Sequence, residues 1–177
     1  MKKYGLYLIM VLVTLFTGTS CSDDDDDDHL NDWMVANQLA LNAIKTNPEY
    51  KELKSLGNEA SIYYKVLTKG EGTDTARYTS TITCYYKGWF VADYPQKNIK
   101  VGTVFDQKLF DDSSPISISL NGSYINGWKT ALQHMVKGDK WEIWIPYQLG
   151  YGRETSKSIP GYSTLAFEIE VLTVDGK

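Results

Sequence analysis

The sequence predicts an α+β domain, an antiparallel sheet with one short helix laid against it and a further helical segment in front. Three observations lead there. Several separate runs alternate apolar and polar residues, the clearest being Leu165, Phe167, Ile169 and Val171 against Ala166, Glu168, Glu170 and Leu172. Inside this strand-rich region one stretch, Ile125, Trp128, Leu132 and Met135, repeats at three and four residues, which puts these side chains on one face of a helix. There is no regular strand-helix-strand alternation of the kind that builds a parallel sheet.

Length and composition set the bounds. A chain of 177 residues holds one domain with a proper core plus short extensions. A hydrophobic share of 42% with 13% aromatic residues excludes disorder for most of it. The formal charge of -4, much of it in the run Asp23 to Asp28, supplies no basic field and argues against nucleic acid as a partner. Two cysteines, Cys21 and Cys84, cannot build a framework of bridges. His29 and His134 stand apart and the aspartate run lacks the turn and spacing of a calcium loop, so no metal and no cofactor is expected.

In chain order, Met1-Lys2-Lys3, the apolar run Leu6 to Phe16 and the small residues Gly18-Thr19-Ser20 have the layout of a secretory signal over residues 1–20, too short for a stable membrane span. Residues 21–30 are Cys21, Ser22 and a block of like charge expected to repel itself and stay extended. From Asn31 to Lys45, Trp33, Val35, Ala36, Leu39, Ala40, Ala43 and Ile44 cluster on one side, predicting a helix that Asn47-Pro48 ends. This extension, 31–58, has three uses open to it: docking on its own domain, pairing two copies, or meeting another protein. Docking is favoured, because a lone helix of this length is marginal in water.

The domain proper, 59–177, opens with a strand over Ile62 to Leu67 and a turn at Gly70-Glu71-Gly72. Next, Tyr78, Ile82, Cys84 and Tyr86 share one side of a strand ending at Lys87-Gly88. Cys84, with no His or second Cys beside it, reads as a buried, inert thiol. Ile116, Ile118 and Leu120 line one face of a further strand, and Asn121-Gly122 turns it toward the helix, which Gly138 stops. From Lys140 the period changes to two, with Trp141, Ile143 and Ile145 one way and Lys140, Glu142 and Trp144 the other, predicting a half-buried strand ended by Pro146.

The run Ile125-x-Gly127-Trp128, the Met135-x-x-Gly138 helix end, the strand closing Ile145-Pro146 and then Leu149-Gly150-Tyr151-Gly152 closely resemble the FKBP-type peptidyl-prolyl isomerases, over about Ser61 to Val174. The resemblance implies a twisted sheet wrapped around the short helix, with a pocket between them and prolyl cis/trans isomerisation as the activity. It implies Trp128 as the floor under a proline ring, Tyr86, Phe105, Ile125 and Phe167 as walls, and Tyr124 and Ile125 at the backbone that receives the ligand. It further implies that Tyr151 offers its hydroxyl, that Asp106 places a carboxylate beside the carbonyl of the bond being turned, and that Ile159 caps the rim. Two features depart from the pattern: Ile116 stands where a wall aromatic is usual, and the loop before Ile159 is shorter by about one residue, without a histidine found in well-known members. In addition, the short turn before Phe105-Asp106 is lengthened to WFVADYPQKNIKVGT.

Proline-containing unfolded or exported polypeptides and macrolide inhibitors are the partners this resemblance implies. The Gly18-Thr19-Ser20-Cys21 junction resembles a bacterial lipoprotein processing site, with Gly18 where leucine is usual, and implies acylation at Cys21. Serine and aspartates directly after that cysteine are equally a solvated spacer or a likeness to the surface-export signal of Bacteroidetes-type lipoproteins. The expected location is extracytoplasmic, on the outer membrane through the lipid alone, facing either the periplasm or the cell surface. From the residues by themselves, plain core is the favoured reading of Trp128, Phe167 and Ile125, while Tyr86 and Tyr151 also read as phenols bonded to backbone and Asp106 as the cap of a turn. A non-catalytic binding or chaperone module and a structural envelope lipoprotein are the competing functions.

Overall fold

The computed structural model describes residues 24–57, 60–98, 100–109 and 114–175. The signal-like segment 1–20, Cys21 and the first residues of the acidic run lie outside the described residues. Element order is α1 (Asp24–Lys45), β1 (Lys51–Lys54), β2 (Ser61–Thr68), β3 (Thr81–Phe90), β4 (Val104–Lys108), β5 (Ile116–Ser119), α2 (Asn126–Leu132), β6 (Lys140–Ile145), a single 3₁₀ turn (Tyr147–Leu149) and β7 (Leu165–Asp175). All strand pairs are antiparallel, in the order β1-β2-β6-β7-β3-β4, with β5 on the other half of β3's outer edge. This is the predicted α+β class.

The alternation of β3, β6 and β7 buries Ile82, Cys84, Tyr86, Trp141, Ile143, Ile145, Phe167 and Ile169 on one face of the sheet, where α2 contributes Trp128, Ala131 and Leu132. Each such side chain contributes roughly 1.5–3 kcal/mol by leaving water. Helix and sheet approach closely at Gly127, where a Cβ would lie 2.4 Å from Ile145 Cγ2. Among the described residues no helix is long and apolar enough to cross a membrane.

Several expectations need correction. The acidic run is not extended from Asp24 onward, because α1 begins there. Residues 46–58 are not helical throughout, because β1 pairs with β2 as the edge of the sheet. Tyr78 precedes β3 in a turn and is 57% exposed. Helix α2 ends at Leu132 rather than at Gly138. Gly138, at φ +87°, instead shapes the turn into β6, pressed against Gly70, while the buried Asp139 carboxylate accepts from Gly70 N and Val136 N at 2.8 and 2.9 Å. That docking draws the chain out of the helix early, and Met135 completes the apolar face from beyond its end.

The outer face of β6 is also covered. Helix α1 docks on its own domain as favoured, and Ala40, Ile44, Tyr50, Trp89, Val91, Trp144 and Ala166 form a second core there. The buried stripe of α1 is therefore Asn37, Ala40, Leu41 and Ile44, while Val35 and Leu39 point to solvent. Glu142 is the polar centre of this layer, its Oε1 accepting from Tyr50 Oη at 2.5 Å, Trp144 Nε1 at 2.7 Å and Lys100 Nζ at 3.2 Å. The lengthened connection after β3 is tied to the same layer through Trp89 Nε1, which donates to Lys100 O at 2.8 Å. Cys84 is buried and free, its thiol pushed up to about 12 by burial, in keeping with an inert side chain.

Candidate active site

Between α2 and the inner face of the sheet lies a cavity of about 230 Å³. Its floor is Trp128, held two residues into α2 and only 5% exposed. Three more rings stand around the floor, each nearly perpendicular to a neighbour. Trp128 meets Phe167 at 5.2 Å and 90°, Tyr86 at 5.0 Å and 83°, and Phe167 meets Phe105 at 5.5 Å and 90°. Edge-to-face contacts of this kind are worth about 0.5–1.5 kcal/mol each beyond burial, so the rings hold one another in place.

Strand periodicity explains Tyr86 and Phe167, both inward-facing on neighbouring strands. It does not explain how the adjacent residues Phe105 and Asp106 both line the cavity. The register does: Gly88 pairs with Asp106 and Trp89 with Val104, leaving Phe105 as an extra residue in a β-bulge that turns two consecutive side chains to the same side. Gly88 makes room for them, since a Cβ there would lie 2.6 Å from Phe167 Cε1 and 2.8 Å from Phe105 Cζ.

One side of the cavity is polar. Tyr86 Oη donates to Asp106 Oδ2 at 2.7 Å, a charge-assisted bond that orients the carboxylate. Burial, and then the bond to Asp106, raises the Tyr86 phenol above its ordinary value of 10.0. Tyr151, 44% exposed on the loop above, is raised by burial and by the Asp106 charge. Both phenols therefore hold their protons more firmly than a free tyrosine and stand as donors at neutral pH. Ile125 caps α2 without a side-chain bond, and none of the described residues accepts from its N–H, which leaves that donor free beside the cavity.

Tyr86, Phe105, Asp106, Ile116, Tyr124, Ile125, Trp128, Tyr151 and Phe167 are thus brought together as expected. Ile159 is not. It is 7% exposed and packed in the main core, turned inward by reciprocal backbone bonds between Ser156 and Ile159 at 2.9 and 3.0 Å. Ser123 also lines the cavity. The sequence reading missed it, although the turn signal at Asn121-Gly122 and the pocket pair Tyr124-Ile125 bracket it.

The model of the FKBP-type peptidyl-prolyl cis-trans isomerase family matches residues 72–172. The chain belongs to this family. Among curated FKBP-type relatives, the 22 kDa peptidyl-prolyl cis-trans isomerase of Escherichia coli is 38% identical over 117 residues, 66% of this chain and 51% of the relative. The FkpA isomerase of the same organism is 33% identical over 135 residues, 71% of this chain and 44% of the relative. The chain thus spans about half the length of these two relatives. The FK506-binding protein of Neisseria meningitidis is 34% identical over 116 residues, 64% of this chain and 96% of the relative. Two solved structures bear the FKBP likeness out: a peptidyl-prolyl cis-trans isomerase from Pseudomonas syringae (TM-score 0.60, 28% identity, 90% of this chain and 100% of that one) and E. coli FkpA (TM-score 0.69, 26% identity, 86% and 63%).

Proposed function

We propose that this FKBP-family chain is a peptidyl-prolyl cis-trans isomerase that assists the folding of exported polypeptides. The observation that carries this is a carboxylate, Asp106, held by Tyr86 at the polar side of an aromatic cavity floored by Trp128. Rotation about the bond before proline is slow because the amide must give up resonance, a barrier of about 18–20 kcal/mol. The twisted amide is less polar than either planar form. A cavity that strips water from it destabilises the planar forms more, while the walls grip the ring. Trp128 and Phe167 hold the ring, the Ile125 N–H and the Tyr151 hydroxyl donate to substrate carbonyls, and Asp106 faces the carbonyl of the turning bond. The cavity volume of about 230 Å³ falls below the roughly 300–1,000 Å³ of pockets that enclose drug-sized ligands, so a proline ring and its amide fit within it while a macrolide of the FK506 type rests largely on the rim.

The chain is further read as a Bacteroidetes-type lipoprotein, acylated at Cys21 and held to the outer membrane by lipid alone. Support for that comes from the layout of residues 1–28. Labelling with a radioactive fatty acid tests it: incorporation is expected in the full chain and absent in Cys21→Ala, and equal labelling of both rejects the anchor. Protease treatment of intact cells separates surface from periplasmic exposure. The isomerase reading is tested by a protease-coupled assay on a short Xaa-Pro peptide with the soluble domain. Acceleration over the spontaneous rate, reduced about tenfold or more by Tyr151→Phe or Asp106→Ala, is expected. No acceleration by folded protein rejects catalysis, and variants as fast as the parent reject these roles.

A further inference from the structure

Helix α1 reaches two walls of the cavity through a single side chain. The Trp33 ring meets Phe90 edge-on, centroids 5.5 Å apart at 77°, and Phe90 lies 4.9 Å from Phe105, a cavity wall. From the same ring, Nε1 donates to Ser163 Oγ at 3.1 Å, and that hydroxyl donates onward to Pro160 O at 2.7 Å. One turn along α1, Asn37 is 1% exposed, accepts from Thr164 N at 2.8 Å and donates to the Trp33 backbone carbonyl at 2.9 Å, so it ties the turn of α1 that carries Trp33 to the segment beside Ser163. Residues 160–164 form the base of the loop that carries Tyr151. Tyr162 N donates to Gly152 O at 3.0 Å, directly after Tyr151, and the Tyr147 and Tyr162 rings pack 5.1 Å apart.

These two walls need outside support. Phe105 sits in a bulge on an edge strand paired on one side only, and Tyr151 is 44% exposed on a loop. Trp128 and Phe167, by contrast, are buried members of the main core, 5% and 3% exposed. We infer that Trp33, backed by Asn37, is a positioning residue of the active site, setting where Phe105 and Tyr151 stand over the Trp128 floor. The extension thereby becomes part of the machinery for the reaction, and this inference rests on the isomerase reading.

The test compares the chain with Trp33→Ala, Trp33→Phe, Ser163→Ala and, on the solvent face of the same helix, Val35→Ala. Three quantities are read: kcat and KM on an Xaa-Pro peptide, and the aromatic ¹³C resonances of Phe105, Tyr151 and Trp128. Displacing groups that act on the twisted amide while leaving the ring's floor intact lowers kcat about tenfold for Trp33→Ala and changes KM less than about twofold. Trp33→Phe keeps the contact with Phe90 and loses only the Ser163 bond, so it restores part of kcat and moves Tyr151 more than Phe105. Val35→Ala matches the parent. Folded Trp33→Ala with kcat within about twofold of the parent, or with unmoved Phe105 and Tyr151 resonances, overturns the inference. Should Trp33→Ala not fold, unchanged kcat in both Trp33→Phe and Ser163→Ala overturns it. If the parent itself shows no catalysis, the isomerase reading fails, and unmoved resonances in the folded variants still overturn the positioning role.

Discussion

Gly88→Ala should destabilise the protein and damage the pocket, although adding a methyl group to a strand glycine would ordinarily help by restricting the unfolded chain, by about 0.4–1 kcal/mol. The new Cβ would stand 2.6 Å from Phe167 Cε1 and 2.8 Å from Phe105 Cζ. Carbon atoms prefer roughly 3.5–4.0 Å, so about 1 Å of overlap must be relieved. Phe167 cannot recede, being 3% exposed and set perpendicular to both Trp128 and Phe105. Phe105, half-buried on the edge strand β4, is the ring that gives way, and it leaves the position in which it walls the cavity. Overpacking of this kind costs about 1–3 kcal/mol, which lowers Tm by roughly 2–12 °C for a chain of this size. Calorimetry reads the first effect and the protease-coupled assay the second, with kcat/KM expected to fall about tenfold. Unchanged Tm together with full activity would refute the reasoning, because it would mean that the two rings do not depend on the empty space above Gly88.

Two further predictions concern stability. Glu142→Ala removes the acceptor shared by Tyr50, Lys100 and the fully buried Trp144, stranding an indole N–H at a cost of about 1–3 kcal/mol and lowering Tm by roughly 2–12 °C; a shift under about 1 °C would show that the layer under α1 does not depend on this carboxylate. Cys84 titrates at about 12 when folded against an ordinary 9.0, so the folded state keeps the proton longer. Its contribution is therefore complete below pH 9 and is lost as pH rises toward 12. Urea unfolding across that range should fall off less steeply in Cys84→Ala than in the parent, and identical slopes would sink the argument.

Most of the pocket was legible because family motifs and strand alternation agree about Tyr86, Trp128 and Phe167. The same alternation that predicted β6 misjudged its outer face. The half-buried reading leaves the side of Trp144 uncovered, because period two reports which residues share a side and not what lies over it, whereas Trp144 is fully buried under α1. Ile159 was carried over by resemblance to the rim, yet a tight turn closed by its own backbone sends it into the core. Phe105 and Asp106 were both placed at the site by resemblance, while the bulge that allows adjacent residues to face one way appears only in the pairing of β4 with β3.

By itself the sequence determined what depends on neighbours along the chain: the α+β class, the inward sides of β3, β6 and β7, the short helix with its tryptophan, and through its motifs the FKBP family. The tertiary structure decided what depends on residues far apart: the side of α1 that is buried, the second core it makes with Trp144, and the support it lends to Phe105 and Tyr151. Periodicity records only a residue's own orientation. The partner that meets it from 130 positions away, as Ser163 meets Trp33, is settled when the elements pack.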